Sequence, residues 1–331
     1  MPDRPPDPFE DTYAAPIASR AVISATTLGV FDALAEDPAD AARLAARLEL
    51  NVTGVEALLA VLVSLGYLHC DPHGVHRVTE TTARALFSDS PETLATFAGP
   101  FGALTWQTLG QLDDALRGGA PAGWHERGRG DAAWTAYIRG LFELTRQEQA
   151  ANAALVALEE PRTLLEIAGG HAAFAMAMCR RHPELIATVL DLPGSAEVGR
   201  SIVEHEGFSD RISFREGNAL EAELGEDLDV IAYFNLAHHL TPERNLALAR
   251  RARAALAPDG CLVIGETERV EPGQPVTRMG ALSALLYFAS SGTRNYTQRE
   301  VVDWLDDAGF GVIELSRNER SPWRLVYVAR A

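Results

Sequence analysis

The sequence predicts an α/β protein: a mostly parallel sheet covered by helices in the C-terminal half, preceded by a mainly helical N-terminal half. Three observations predict this. Short apolar strands alternate with helices from Thr163 onward. Two consecutive strands end the chain, which indicates an antiparallel hairpin beside the parallel strands. Before residue 160, apolar residues recur at helical spacing, and one short hairpin interrupts them.

Length and composition set broad limits on the architecture and the partners. The 331 residues correspond to more than one domain, and we expect a helical domain over 1–100, a helical linker and substrate wall over 101–160, and a sheet domain over 161–331. The formal net charge of −17 disfavours general binding to nucleic acid or to anionic membranes, since both attract basic surfaces. Neither a long apolar run nor a secretory leader is evident, so we expect a soluble cytoplasmic protein.

The N-terminal half has the outline of a winged helix. Helices are predicted over 14–34, 38–48 and 52–65, followed by a hairpin made from 66–70 and 75–78. This order of elements serves either DNA binding or dimerisation. The third helix contains no Arg, whereas a helix that reads the major groove needs cationic and amide side chains. We therefore favour dimerisation, and a cofactor-sensing DNA-binding regulator remains the alternative from another functional class.

Two further helices are predicted over 91–117 and 131–158, with a Gly- and Pro-rich loop over 118–130 between them. Apolar and aromatic side chains recur along the second of these, and again along a helix predicted over 278–288. Such a stripe indicates core packing in most cases and a substrate wall in some. The candidate wall residues are Trp134, Tyr137, Ile138 and Phe142 in the first helix, and Met279, Leu282 and Tyr287 in the second.

The C-terminal half alternates strands and helices in the manner of a parallel sheet. Its helices are predicted up to residue 181 and over 195–206, 242–256, 278–288 and 297–308. The predicted strands are 163–167, 186–190, 211–216, 228–234 and 261–265, followed by 311–315 and 325–329 for the terminal hairpin.

Polar and small residues stand where the first three of these strands end. The first strand, which contains Glu166, runs into Ala168-Gly169-Gly170, a loop that lets the backbone approach a ligand closely. The second ends at Asp191, placed either to bind ribose hydroxyls or to cap a helix. The third ends before Asn218, which can contact an adenine edge or close a turn. The chain lacks a GxxxxGK[ST] motif, which favours a nucleoside without phosphates.

Several segments together resemble, in order and spacing, the small-molecule O-methyltransferase family, which comprises class I S-adenosylmethionine-dependent enzymes of plant phenylpropanoid and bacterial polyketide type. The likeness runs from about residue 14 to about residue 329, and its specific parts are Asp191-Leu192-Pro193 and His238. It implies a Rossmann-like fold, a homodimer formed through a winged-helix domain, and methyl transfer to a hydroxyl of a small aromatic or polyketide-like metabolite. The matching segments are 165–172, 189–193, 217–218, 236–239 and 260–266.

The resemblance also implies which residues hold S-adenosylmethionine. The small-residue loop passes beneath the methionine part, with Glu166 near the amino group, and Asp191 holds the ribose hydroxyls. Two of the family's usual glycines are Ala168 and Ala172 here. The implied cofactor residues are Glu166, Ala168, Gly169, Gly170, Asp191, Leu192, Asn218, Ala219 and Asn235.

For catalysis, the resemblance places His238 as the general base and Glu266 as the acid that orients it. Asn295 stands in place of a second acid, and His239 follows His238 where the family has Asp. These departures keep open an acceptor carbon, or a reaction without methyl transfer, on the same fold. His239 is a further candidate for substrate contact. We expect no catalytic metal, because adjacent histidines at a strand end usually point in different directions.

Overall fold

The computed structural model describes residues 6–119, 130–318 and 321–330. The chain divides into two compact units, Met1–Trp106 and Gln107–Ala331. The loop predicted over 118–130 lies largely outside the described residues. Within the described residues, no single helix is long and apolar enough to span a membrane, and the bent pair Glu10–Thr27 and Val30–Glu36 passes that test only when taken together.

The first unit is mainly helical, and a small hairpin lies within it. Short π-helical turns at Glu10–Ala14 and Phe97–Phe101 flank its main elements. These elements are α1 (Ala15–Thr27), α2 (Val30–Glu36), α3 (Ala41–Arg47), α4 (Val52–Ser64), β1 (Leu68–Cys70), β2 (His76–Val78) and α5 (Glu80–Leu86).

The predictions for α3, α4 and the hairpin are confirmed to within a few residues, and the core explains why they hold. Phe31 of α2, Leu44 of α3 and Leu59 of α4 are buried in one apolar cluster with Leu68 of β1. The cap residues also match the sequence signals: Asn51 accepts a hydrogen bond from the Gly54 amide at 3.0 Å, which starts α4.

Two long helices predicted in the N-terminal half are wrong as single elements. The helix expected over 14–34 is broken between α1 and α2, where Gly29 has φ 72°. Such a left-handed residue ends a helix, and glycine adopts it without steric cost. The helix expected over 91–117 is instead the turn Phe97–Phe101, α6 (Gly102–Leu109) and α7 (Leu112–Gly118). Pro100 lies in that first turn and lacks the N–H that a regular helix requires.

The second unit contains a seven-stranded sheet, whose strand order is β5-β4-β3-β6-β7-β9-β8. Its helices are α7, α8 (Ala132–Ala154), α9 (Ala173–Arg181), α10 (Pro193–His205), α11 (Pro242–Ala255), α12 (Arg278–Ser291) and α13 (Gln298–Asp307). Its strands are β3 (Thr163–Ile167), β4 (Ile186–Asp191), β5 (Ile212–Glu216), β6 (Leu228–Phe234), β7 (Leu256–Thr267), β8 (Val312–Asn318) and β9 (Ser321–Arg330).

The sheet confirms the predicted mixture of parallel and antiparallel strands. β3 to β7 pair in parallel, and β9 joins β7 and β8 antiparallel at one side. The strand order reverses at β3, which has β4 on one side and β6 on the other. In open α/β sheets, ligands bind outside the carboxyl ends of the strands at this reversal point.

Candidate active site

The loop after β3 has the left-handed backbone that a close ligand approach requires. Ala168 has φ 52°, Gly170 has φ 41° and Ala172 has φ 58°. The two alanines stand where the resemblance expects glycine, yet they adopt the left-handed conformation. The Ala168 amide donates to the Leu190 carbonyl at 2.7 Å, which ties the loop to β4. The loop is therefore left-handed at Ala168 and Ala172 without glycine at either position.

Two glycines hold this loop in close contact with its surroundings. A Cβ atom on Gly169 would lie 2.7 Å from Glu166 Cγ and 2.9 Å from Val189 Cγ1. A Cβ atom on Gly199, in α10, would overlap the Gly170 carbonyl oxygen and the ring of Phe214. Gly199 belongs to no motif that the sequence analysis identified. A glycine is needed at this position because α10 packs against a loop that lies about thirty residues earlier in the chain.

Glu166 is a carboxyl group enclosed in the cavity wall. It is 2% exposed, and its Oε2 accepts a hydrogen bond from the Ala175 amide at 2.9 Å. Burial disfavours the charged form and raises the pKa of Glu166 to about 8, although the hydrogen bond opposes this. A buried carboxyl with a raised pKa is suited to pairing with a ligand cation.

Asp191 ends β4 and accepts two backbone hydrogen bonds. Its Oδ2 accepts from the Gly170 amide at 2.7 Å, and its Oδ1 accepts from the Leu192 amide at 2.6 Å. Burial raises the pKa of Asp191 to about 6, so the group is ionised at neutral pH. A carboxylate has about four lone-pair positions. The Ser195 side chain also hydrogen-bonds Asp191, so the carboxylate keeps capacity for a further hydrogen bond from a ligand hydroxyl.

Asn218 closes a turn at the end of β5. Its Oδ1 accepts a hydrogen bond from the Leu220 amide at 3.0 Å, and its Nδ2 donates to Glu221 Oε1 at 3.3 Å. The turn-closing role that the sequence left open is thus present. Asn218 and Ala219 also line the cavity, so both remain near the position predicted for the adenine.

His238 lies in a single 3₁₀ turn, Ala237–His239, that follows β6. Its Nδ1 is 2.9 Å from Glu266 Oε2, and a carboxylate partner requires the proton on Nδ1. Nε2 is therefore the basic nitrogen. Tyr287 lies parallel to the imidazole, with 4.2 Å between ring centroids and 1° between planes. The ring of His239 contacts His238 at 4.1 Å.

Glu166, Asp191 and Asn218, with the loop after β3, line a cavity of about 410 Å³ at the carboxyl ends of the strands. All nine residues predicted for the cofactor lie in its wall. From α8 it receives Trp134 and Tyr137, whose rings stack at 4.8 Å, and Ile138. The predicted residues in the wall are Trp134, Tyr137, Ile138, Glu166, Ala168, Gly169, Gly170, Asp191, Leu192, Asn218, Ala219, Asn235 and His239.

Other predicted residues lie away from the cavity wall. Phe142 packs in the core beside the sheet. Met279 and Leu282 are 45% and 49% exposed, so α12 does not turn them inward. Asn295 is buried, and both its side-chain Nδ2 and Oδ1 lack hydrogen-bond partners among the described residues. His238 is 4% exposed and does not line the cavity. The neighbouring ring of His239 does line it.

A polar side of the cavity was missed from the sequence. Thr145, Gln149 and His171 line it together. Burial, with a smaller contribution from the Arg324 charge, lowers the pKa of His171 to about 4, so the ring is neutral. Its Nδ1 accepts from the Ala173 amide at 3.2 Å, which leaves the proton on Nε2. The signal was available: Thr145 and Gln149 continue the four-residue spacing of Tyr137 along α8.

The wall fits a nucleoside with a cationic amino-acid tail, as S-adenosylmethionine is. Glu166 is a buried carboxyl that an ammonium group would ionise, and Asp191 can accept from ribose hydroxyls. Asn235 lines the cavity with φ 54°, and its buried Oδ1 has no hydrogen-bond partner among the described residues. An orphaned acceptor in a cavity wall is satisfied when a ligand donates to it.

Comparisons with known proteins agree with this geometry. Residues 12–88 match the model of the O-methyltransferase dimerisation domain, and residues 117–311 match the model of the O-methyltransferase domain. A crystal structure of human N-acetylserotonin methyltransferase in complex with SAM has a TM-score of 0.83 and 22% identity, covering 100% of this chain and 99% of that chain. This similarity shows the fold.

Two curated relatives illustrate the chemistry of similar proteins. The 3-hydroxy-5-methyl-1-naphthoate 3-O-methyltransferase of Streptomyces sahachiroi is 26% identical over 308 residues, covering 90% of this chain and 88% of the relative. The L-tyrosine C(3)-methyltransferase of Streptomyces lavendulae is 29% identical over 206 residues, covering 60% of this chain and 54% of the relative.

Proposed function

This chain belongs to the O-methyltransferase family of S-adenosylmethionine-dependent enzymes, and we propose that it methylates a hydroxyl of a small aromatic or polyketide-like metabolite with His238 as general base. The observation that carries the proposal is the buried pair of His238 Nδ1, in the turn that adjoins the cavity, and Glu266 Oε2, near the end of β7, 2.9 Å apart. A histidine fixed by a carboxylate is the arrangement that general-base catalysis uses.

The chain's residues divide the work of holding the cofactor. Bound S-adenosylmethionine supplies an electrophilic methyl group. Glu166 pairs with the amino group, and Asp191 accepts hydrogen bonds from the ribose hydroxyls. The loop 168–170 lets the backbone come close to the methionine part, and Gly169 lets the same loop pack tightly against Glu166 and Val189. Fixing the reactants in this way supplies much of the acceleration, because orientation replaces a random encounter.

His238 takes the proton from the acceptor hydroxyl at Nε2. Glu266 holds the proton on Nδ1, so the lone pair of the ring lies on the opposite nitrogen. Tyr287 covers one face of the imidazole, and the ring of His239, which lines the cavity, lies against His238 as well. The charge of Glu266 stabilises the imidazolium that forms.

The acceptor class follows from the apolar part of the wall. The stacked rings of Trp134 and Tyr137, with Ile138 and Leu141, form a surface suited to a flat, apolar molecule. The naphthoate specificity named for the Streptomyces sahachiroi relative supports an aromatic acceptor. Met279 and Leu282 are not needed for this assignment.

Calorimetry with S-adenosylmethionine and S-adenosylhomocysteine tests the cofactor assignment. We expect both to bind, and the absence of binding of either form would overturn the proposal. His238→Ala should lower turnover by about 10²-fold or more while leaving the dissociation constant of S-adenosylhomocysteine unchanged. Turnover equal to that of the wild type would remove His238 as the base.

A second candidate, methylation at carbon, is favoured by one relative and one residue. The L-tyrosine C(3)-methyltransferase acts at a carbon by name, and Asn295 stands where the family resemblance implies a second acid beside the base. An electron-rich ring carbon needs less help from a base than a hydroxyl does. NMR of the product distinguishes the two, since an O-methyl and a C-methyl group have different carbon shifts.

We also propose a homodimer formed through the first unit. The dimerisation-domain match over residues 12–88 supports it. Phe9, Tyr13 and Ile17 follow one another at four-residue spacing, which places them on one helical face, and they are 67%, 60% and 49% exposed. An apolar stripe of this kind is typical of an interface.

A further inference from the structure

The turn that carries His238 is tied to the rest of the sheet unit by three buried side chains. Glu266 Oε1 accepts from the Ala237 amide at 2.6 Å. Asn245 Nδ2 donates to the carbonyl oxygens of Ala237 at 2.9 Å and of Leu240 at 3.3 Å. The Tyr296 hydroxyl donates to the same Leu240 carbonyl at 2.5 Å. The backbone on both sides of His238 is thus held from outside the turn.

Asn245 occupies a position at which an apolar residue would be expected. It lies on α11 and is 1% exposed, on the face that continues with the buried residues Leu248, Ala249 and Ala252. Its Oδ1 is buried without a hydrogen-bond partner among the described residues. Burying an unpaired acceptor costs free energy. The amide is therefore unfavourable for packing alone, and its two donated hydrogen bonds are what it contributes.

We propose that Asn245 is a positioning residue for His238. By binding the carbonyl before His238 and the carbonyl after His239, it fixes the backbone of the dipeptide, so that the imidazole on Glu266 points Nε2 in one direction. Asn245 does not touch the reacting atoms. The inference deepens the proposed function and rests on it, since it concerns the base of that reaction.

The expected loss of rate on removing the Asn245 hydrogen bonds follows from the geometry of proton transfer. Glu266 fixes one ring nitrogen and one backbone amide, while the opposite side of the turn depends on Asn245 and Tyr296. Displacing a catalytic group by about 1 Å can cost on the order of 10²-fold in rate. Loss of both Asn245 donors leaves the Ala237 carbonyl with the Leu240 amide, 3.1 Å away, as its remaining donor.

Two substitutions separate the donors from the bulk of the side chain. Asn245→Leu keeps the branched shape of the side chain and removes both donors, and Asn245→Ser is a smaller side chain that keeps a single O–H donor. We expect Asn245→Leu to lower kcat by about 10- to 100-fold, with the acceptor KM and the S-adenosylhomocysteine Kd little changed. Asn245→Ser should fall between this variant and the wild type, and it serves as the test if Asn245→Leu does not fold.

Leu248→Ala is the matched control for loss of stability. Leu248 lies one turn further along α11 and is fully buried, so its truncation costs about 2–5 kcal/mol of folding free energy without removing a donor from the turn. Its kcat should match the wild type under conditions where the protein is folded. An equal loss of kcat in Leu248→Ala and Asn245→Leu would overturn the proposal.

A spectroscopic measurement separates this proposal from the base assignment. In ¹⁵N-histidine-labelled, cofactor-free protein, the Nδ1–H resonance of His238 is identified by its loss in His238→Ala. We expect it to shift or broaden in Asn245→Leu and to be unchanged in Leu248→Ala. An unchanged resonance in Asn245→Leu would overturn the positioning role. Full turnover of His238→Ala would instead overturn the proposed base, while a shifted resonance would still support Asn245 as the residue that fixes the ring.

Discussion

At the scale of single residues, Glu166 links cofactor binding to pH. Burial raises the pKa of Glu166 from its ordinary value of 4.5 to about 8. Between these values the folded protein holds a proton that the unfolded chain has lost. The contribution of Glu166 to the free energy of unfolding is therefore fully present at low pH and is lost as the pH rises through about 8.

Binding of S-adenosylhomocysteine at pH 7 should release about one proton, because its ammonium group favours the ionised form of Glu166. Calorimetric titrations in two buffers of different ionisation enthalpy measure this number directly. At pH 9 the release should be close to zero, and Glu166→Gln should release no such proton at either pH. Proton release that is the same at both pH values would contradict the pKa of Glu166.

Gly199 is a second residue whose role is specific and testable. Gly199→Ala should destabilise the protein by about 1–3 kcal/mol, as overpacking does, and should weaken S-adenosylhomocysteine binding, because the new methyl group pushes on the Gly170 carbonyl. Urea unfolding and calorimetry measure the two effects. Gly54→Ala is the control: it is also helical, and its nearest contact would be an ordinary 3.7 Å from Asn51 Oδ1. Equal changes in stability and in S-adenosylhomocysteine binding for the two variants would refute the close approach of Gly199 to the Gly170 carbonyl.

At the scale of the element, the side chains of α12 lie in different environments. Met279, Leu282 and Tyr287 were predicted as one substrate wall. In the structure Tyr287 stacks on His238, whereas Met279 and Leu282 are substantially exposed. The start of the helix at residue 278 was predicted correctly. Which of its side chains point toward the site was not. The orientation of α12 depends on the elements that pack against it. The sequence does not reveal this orientation, because the apolar residues of α12 do not cluster on one side of the helix.

Tyr287→Leu should lower turnover by up to about tenfold, since an aromatic pair contributes about 0.5–1.5 kcal/mol beyond its buried area. Tyr287→Phe keeps the stacked ring and should stay near the wild type, although it loses the hydroxyl 3.4 Å from Thr267 Oγ1. Steady-state kinetics with a common acceptor compares them, with Leu282→Ala as an exposed control on the same helix. A larger loss in Tyr287→Phe than in Tyr287→Leu would assign the effect to the hydroxyl instead.

At the scale of the whole molecule, the proposed homodimer makes a direct prediction. Light scattering should give twice the mass of the chain. The double substitution Phe9→Asp and Tyr13→Asp should shift the equilibrium toward monomer, because it places charges on an apolar stripe. Circular dichroism checks that the helices persist. A wild-type protein that is monomeric, or a double variant that remains dimeric, would argue against this surface as the dimer interface.

The order of strands and helices was largely predictable, and particular elements show why. β3 and β6 begin and end where the apolar runs do, because a strand buried on both faces is a continuous apolar segment. β7 was predicted over 261–265 but extends over Leu256–Thr267. Its extra residues include 256–260, whose Pro, Asp and Gly resemble a turn, and 266–267, which pair with β9. Partners distant in the chain supply hydrogen bonds that local pattern does not reveal.

By itself, the sequence determined the parallel sheet, its terminal hairpin, and the polar residues at the strand ends, because burial on both faces and sharp strand-to-helix turns each restrict residue types locally. The tertiary structure alone decided which side chains meet. It brought Thr145 to His171, Gly199 to the Gly170 carbonyl, and Asn245 to the turn of His238. The first two contacts join residues nearly thirty positions apart, and the third depends on how the start of α11 lies against the turn. Strand order and helix packing decide such contacts, and local residue patterns do not reveal them.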